Sequence, residues 1–206
     1  MRSLMSITQR TIAVLIALFW HNVCLAETLH YDVVKDNKKV GYFQIGRATG
    51  ANNDVVIRSE STVRVSMLFT IEVIDKMYAV FRNNMLHTAT IYRTLNGNVR
   101  VNNLTQWQNG KYNLSTKDEK NSGAFAQTIR FTTVSLYFEE PFNLTEVYSE
   151  KFQRMVAVKS IGIHKYQLTL PDGNTAKYTY VNGQCSEVEA KTDWAVIKFV
   201  FKEKKA

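Results

Sequence analysis

From position 55 to position 65 the chain alternates with a period of two. Val55, Ile57, Ser59, Ser61, Val63 and Val65 fall on one side, and Val56, Arg58, Glu60, Thr62 and Arg64 on the other. A strand with one covered face requires this spacing, whereas a helix would bring apolar residues back every three or four positions. The same period returns later. Tyr166, Leu168 and Leu170 alternate with Lys165, Gln167 and Thr169, and Ala176, Tyr178 and Tyr180 with Thr175, Lys177 and Thr179. Ile197, Phe199 and Phe201 close the pattern against Val196, Lys198 and Lys202. The stretch Met155–Lys202 thus reads as four consecutive strands on short turns.

The punctuation between strands is that of hairpins. Asn96-Gly97, Asn109-Gly110 and Asn182-Gly183 stand at strand ends, where residues tolerant of positive φ close tight turns. Pro171-Asp172-Gly173-Asn174 is a turn of a second kind, with proline pre-set for the first corner. At Asn182-Gly183, keeping the tyrosine face apolar favours a three-residue loop over Val181–Gly183. That loop pairs Tyr178 with Ser186 and Ala176 with Val188, and leaves Gly183 in a bulge.

Further strands are expected at 29–34, 40–47, 69–81, 87–95, 99–107 and 111–116. Between Lys117 and Leu144 the pattern breaks: a charged turn comes first, and one short helical turn is expected near residues 132–138, placed to cap an open end. Ten or so long strands and little helix argue an all-β fold, a single antiparallel meander sheet strongly curled or closed into a barrel-like domain. A flat sheet of that size would leave a large apolar face in water.

Residues 1–26 stand apart as a signal peptide. Arg2 and Arg10 form a positive start, Thr11 to Trp20 an apolar run, and Cys24-Leu25-Ala26 a cleavage site before Glu27. The run is too short to span a bilayer, and His21-Asn22-Val23 fits poorly before a lipidated cysteine. The expected product is one β domain over 27–206, periplasmic or secreted after cleavage near Ala26–Glu27, without a transmembrane segment. Losing Arg2 and Arg10 takes the formal charge from +8 to +6 and leaves Cys185 as the only cysteine. No disulfide framework follows, and a packed strand residue is the expected role for Cys185.

Reactive constellations are scarce. His30, His87 and His164 lie in separate strands with no paired metal-ligand spacing, and neither a serine-nucleophile motif nor a phosphate loop occurs. No cofactor or metal is expected. Glu139 and Glu140 point oppositely on an extended chain and read as a solvated loop edge, so a hydrolase would have to use Glu150 with His87 or His164. Lysines and arginines are scattered rather than clustered, which argues against nucleic acid. The aromatic supply is more telling. Tyr31, Phe69, Tyr92, Trp107, Tyr166, Tyr178 and Phe199 sit mostly at inward parities, as core or as the lining for an apolar or amphiphilic ligand.

Tyr31-Asp32-Val33 with Lys39-Val40-Gly41, Leu136 to Pro141, Tyr148-Ser149-Glu150, Tyr166 to Gly173 and Tyr178 to Gly183 resemble a family of uncharacterised secreted bacterial proteins carrying a domain of unknown function. The resemblance spans nearly the whole expected mature chain. It implies a bacterial envelope location, without an established activity or family site residues. The resulting expectation is a non-enzymatic binding module for an apolar or amphiphilic ligand or envelope partner. The alternatives are a structural envelope protein with a solid core and a hydrolase using a Glu/His pair.

Overall fold

The computed structural model describes residues 25–205 apart from 51, 53, 67, 68, 117, 120–122, 193 and 194. The expected leader lies outside the described residues as far as position 24. Antiparallel strands run in chain order as β1 (Leu25–Lys35), β2 (Lys38–Thr49), β3 (Val55–Ser66), β4 (Thr70–Arg82), β5 (Met85–Leu95), β6 (Asn98–Gln108), β7 (Lys111–Ser115) and β8 (Gly123–Phe125). After a connector that holds the 3-10 turn Ser135–Tyr137 come β9 (Glu146–Ser149), β10 (Arg154–Gly162), β11 (Lys165–Thr169), β12 (Thr175–Val181), β13 (Gln184–Lys191) and β14 (Val196–Lys205). They form one 14-stranded sheet in which every neighbour is also a neighbour in sequence, except that β1 pairs with β14. The all-β expectation holds, as does the helical turn. The region from Met155 carries five strands rather than four, because β10 and β11 form a hairpin of their own.

Tight turns and bulges together curl the sheet. Asp36-Asn37, Asn83-Asn84, Asn96-Gly97, Asn109-Gly110 and Asn182-Gly183 all have positive φ at both positions, the type I′ geometry that matches strand twist. Register breaks follow beside four of them, at Val33/Val34, Val80/Phe81, Arg93/Thr94 and Thr179/Tyr180, and each extra residue bends its strand. At Gly41 the strands approach closely, and a Cβ there would meet the Thr62 carbonyl oxygen at 2.0 Å.

The Asn182-Gly183 hairpin corrects one expectation. Its loop has two residues, with Val181 opposite Gln184 and Tyr180 opposite Cys185. A bulge beyond the turn then skips Ser186, so Tyr178 faces Val188 and Ala176 faces Ala190. The apolar face is preserved by the bulge instead of by the loop. The three-residue loop occurs at Pro171–Gly173, where Leu170 N donates to Asn174 O at 2.9 Å and Gly173 takes a φ of +80°.

The ladder does not close between β8 and β9. Side chains bridge that seam: Gln153 Nε2 donates to Leu104 O at 2.9 Å and Ser115 O at 3.2 Å, and Asn103 Nδ2 donates to Lys151 O at 2.8 Å. The connector fills the inside. Ile129, Val134, Leu136 and Tyr137 are buried, and the Tyr137 ring lies 4.7 Å from Phe43, 5.5 Å from Tyr31 and 6.0 Å from Tyr178. Antiparallel order places the start of β1, the β2–β3 loop, both ends of the connector and the β4–β5, β10–β11 and β12–β13 turns at one rim, called here the mouth. The connector therefore caps that end, as its break in pattern suggests.

Candidate functional site

Where the connector crosses the mouth it leaves a cleft of about 380 Å³ against β2–β4 and the β4–β5 turn. Val55 and Ile57 at the start of β3 and Phe81 at the end of β4 make one apolar wall. Phe131 and Phe138 of the connector make the other. Asn83 and Asn84, the left-handed pair of the β4–β5 turn, edge the opening together with Arg130.

Arg47, near the end of β2, ties sheet to connector across this cleft. Its Nε and Nη2 donate to Glu27 Oε1 at 2.9 and 2.6 Å, and its Nη1 donates to Glu139 Oε1 at 2.9 Å. The guanidinium lies 4.6 Å above the Phe138 ring, a stacking geometry suited to its flat face. Burial alone would raise the Glu27 carboxyl, but hydrogen bonds from Lys204 and Arg47 hold it below the usual range. Arg130 is different: it is exposed, and no described carboxylate pairs with it. The cleft thus offers grease inside and a spare cation at the entrance. Ser135 is its one described hydroxyl, and Ser135 Oγ accepts from Thr132 N at 3.3 Å. Among the described residues no histidine lines it.

A wider depression of about 650 Å³ lies over the outer faces of β2–β4. Its charges are already matched, with Lys76 3.5 Å from Glu60 and Arg58 stacked 5.3 Å over Tyr78. It is the weaker candidate.

Of the two adjacent carboxylates, only Glu139 lies at a solvated edge. Glu139 faces Arg47, but Glu140 is buried and accepts from the Tyr166 hydroxyl at 2.8 Å, with His164 Nδ1 at 3.0 Å. The backbone here is not extended: Glu139 N still donates to Ser135 O at 3.1 Å as the chain leaves the 3-10 turn, and Glu140 turns inward to Tyr166 of β11. Glu150 is also buried, taking the Thr133 hydroxyl and, at 3.5 Å, the Val134 amide. Burial pushes its carboxyl up, against the opposing hydrogen bond from Thr133. The Glu150 pairing with His87 or His164 is not formed: His164 serves Glu140, and His87 lies beside Arg82 and Thr88. Among the described residues no group of three or more His, Cys, Asp or Glu side chains gathers as metal ligands would, and no helix is long and apolar enough to cross a membrane.

A family profile described as a domain of unknown function, DUF6134, matches residues 31–202. The chain belongs to this family. The DUF6134 chain also resembles the crystal structure of a beta-barrel-like protein of domain of unknown function DUF1849 from Brucella abortus. The TM-score is 0.55 at 10% identity, over 88% of this chain and 98% of that one. That likeness concerns the fold. No curated protein matches the sequence.

The seven aromatics expected to line a cavity are dispersed in the DUF6134 fold, and none of them lines the cleft. Tyr31, Tyr166 and Tyr178 are buried in the packed interior. Phe199 packs 5.7 Å from Phe43, and Trp107 lies 4.8 Å from Tyr112. Phe69 and Tyr92 are exposed; Phe69 stands just before β4, and on β5 the buried parity belongs to Ile91. The connector occupies the space that an open barrel would have left. Arg47, Arg130, Phe131 and Phe138 carry no periodic signal. The hint in the sequence was a run of phenylalanines where the strand pattern stops.

Proposed function

We propose that the protein is an exported, non-enzymatic binding module whose cleft takes an amphiphile, with its acyl portion against Phe81, Phe131 and Phe138 and an anionic head at Arg130. One observation carries this: a cleft of about 380 Å³, with Val55, Ile57, Phe81, Phe131 and Phe138 as its apolar walls, opens beside an arginine that no described carboxylate neutralises. Pockets of this size, apolar with a few convergent polar groups, suit small ligands, and arginine favours carboxylate and phosphate. Export is supported by the basic start, apolar run and small-residue cleavage site of residues 1–26. Cleavage at Ala26–Glu27 would remove the first two residues of β1, which lie opposite Thr49 and Ala48.

The test is native mass spectrometry of protein recovered from its own envelope, beside a Val55→Trp variant that fills the cleft. The parent should carry an acidic lipid that the variant lacks. Parent protein that is lipid-free and takes up no fluorescent acyl probe would end the proposal. It would favour a structural envelope protein, which the filled interior also supports.

A further inference from the structure

The β10–β11 hairpin ends in a tip that the rest of the fold leaves uncovered. Val158 and Tyr166 are buried, yet every residue from Lys159 to Lys165 is exposed. Two of these are isoleucines, Ile161 at 42% and Ile163 at 86% exposure. Their neighbours extend the patch. Phe142 of the connector, 60% exposed, lies edge-on to His164 with ring centroids 6.5 Å apart. Tyr180 N donates to His164 O at 2.9 Å, which brings Val181, 58% exposed, alongside. Large apolar side chains scattered singly need no explanation, but four gathered around one projecting turn do.

Charge identifies the occupant. Lys159 and Lys165 flank the tip, and neither has a carboxylate partner among the described residues. Glu140, beside the tip, is spent on Tyr166 and His164, and Glu146, opposite Ala157, accepts from Gln127. Apolar residues ringed by free lysines suit the acyl–headgroup boundary of an anionic bilayer, where the apolar tip enters and the ammonium groups meet phosphates. Without Arg2 and Arg10 the chain still carries 24 basic against 18 acidic residues, a surplus that favours the same surface at longer range.

We propose that this tip, Phe142, Ile161, Ile163 and Val181 with Lys159 and Lys165, docks the protein on an anionic lipid surface. The cleft shares the mouth with this tip, so docking would turn the cleft toward the membrane. The docking stands without the cleft's ligand, because none of these six residues lines the cleft.

The experiment is flotation of the protein, recovered as its cells deliver it, with phosphatidylcholine vesicles and with vesicles containing about one-third phosphatidylglycerol. The parent should float with the anionic vesicles at low salt and be released as salt rises. A double variant Phe142→Ser, Ile163→Ser should bind at least about tenfold more weakly. Both positions are exposed, and far-UV circular dichroism confirms that the variant folds. In Ile163→Trp, indole emission should shift to the blue with anionic vesicles only. Equal flotation of parent and double variant overturns the proposal, as does parent protein that floats with neither vesicle. A concentration-dependent dimer that the double variant abolishes, with no vesicle binding, assigns the patch to a second copy and also overturns it. Loss of acyl-probe uptake without loss of flotation would count against the cleft alone.

Discussion

The phenol of Tyr180 donates a 2.7 Å hydrogen bond to the backbone carbonyl of Leu136, joining β12 to the connector on the inner face of the curled sheet. Both residues are buried, so no water can replace the donor if it is lost. Tyr180→Phe should keep the ring contact with Tyr166 at 5.8 Å and strand the Leu136 carbonyl. The expected cost is about 1–3 kcal/mol in urea denaturation at neutral pH, with an unchanged m-value. A loss below about 0.5 kcal/mol would mean that the connector is held by packing alone.

Alkaline pH attacks the same interior. Burial, reinforced by neighbouring acidic groups, pushes the phenols of Tyr31, Tyr137, Tyr148, Tyr178 and Tyr180 far up. A raised folded value gives a contribution fully present below the unfolded pKa near 10, and lost as pH climbs from there toward the folded value. Each such tyrosine removes about 1.4 kcal/mol per pH unit in that window, together about 7 kcal/mol per unit. Against an ordinary total of about 5–15 kcal/mol, the protein should unfold cooperatively within roughly two units above pH 10. Phenolate absorbance near 295 nm, monitored with far-UV circular dichroism, should show ionisation and unfolding together. Gradual ionisation of a protein that stays folded would show that these phenols reach solvent.

Cys185 should be silent in the native state. It is buried opposite Tyr180, and burial pushes its thiol up to about 12, opposed by hydrogen bonding from the Tyr31 side chain and the Glu187 backbone. Thiolate is the reactive form, so a disulfide exchange reagent at mildly alkaline pH should label nothing until denaturant is added. Prompt labelling of folded protein would mean that β12 and β13 open locally.

Strands and the curled sheet were legible in the sequence because each strand hides one face and so must alternate. Ile57, Ser59 and Ser61 are buried at the parity that spacing predicts. The place of the bulges was not legible: one extra residue such as Ser186 changes register without altering composition, and its energy depends on two strands at once. How deeply the connector docks was the larger omission. Ile129, Val134, Leu136 and Tyr137 follow no period, because docking rather than regular backbone decides which of them is covered. The cleft depends on that docking, and so do Glu140 and Glu150, whose burial no local pattern announces.

Glu150 tests how that docking is balanced. Its carboxyl is held up by burial, while the Thr133 hydroxyl and the Val134 amide pull the other way. A carboxyl raised in the fold contributes stability that is present below the unfolded value near 4.5 and lost as pH rises through the folded one. At neutral pH the group is therefore a burden, which Glu150→Gln should relieve, since an amide keeps an acceptor for Val134 and needs no charge. The gain should shrink toward zero near pH 4, where the native carboxyl is already neutral. Thr133→Val should act in reverse and cost more at pH 7 than at pH 4, because it removes a donor to the charged form. Urea denaturation of the three proteins at both pH values decides it. If Glu150→Gln weakens the fold equally at both, the two donors outweigh burial and Glu150 is anchored as a charge.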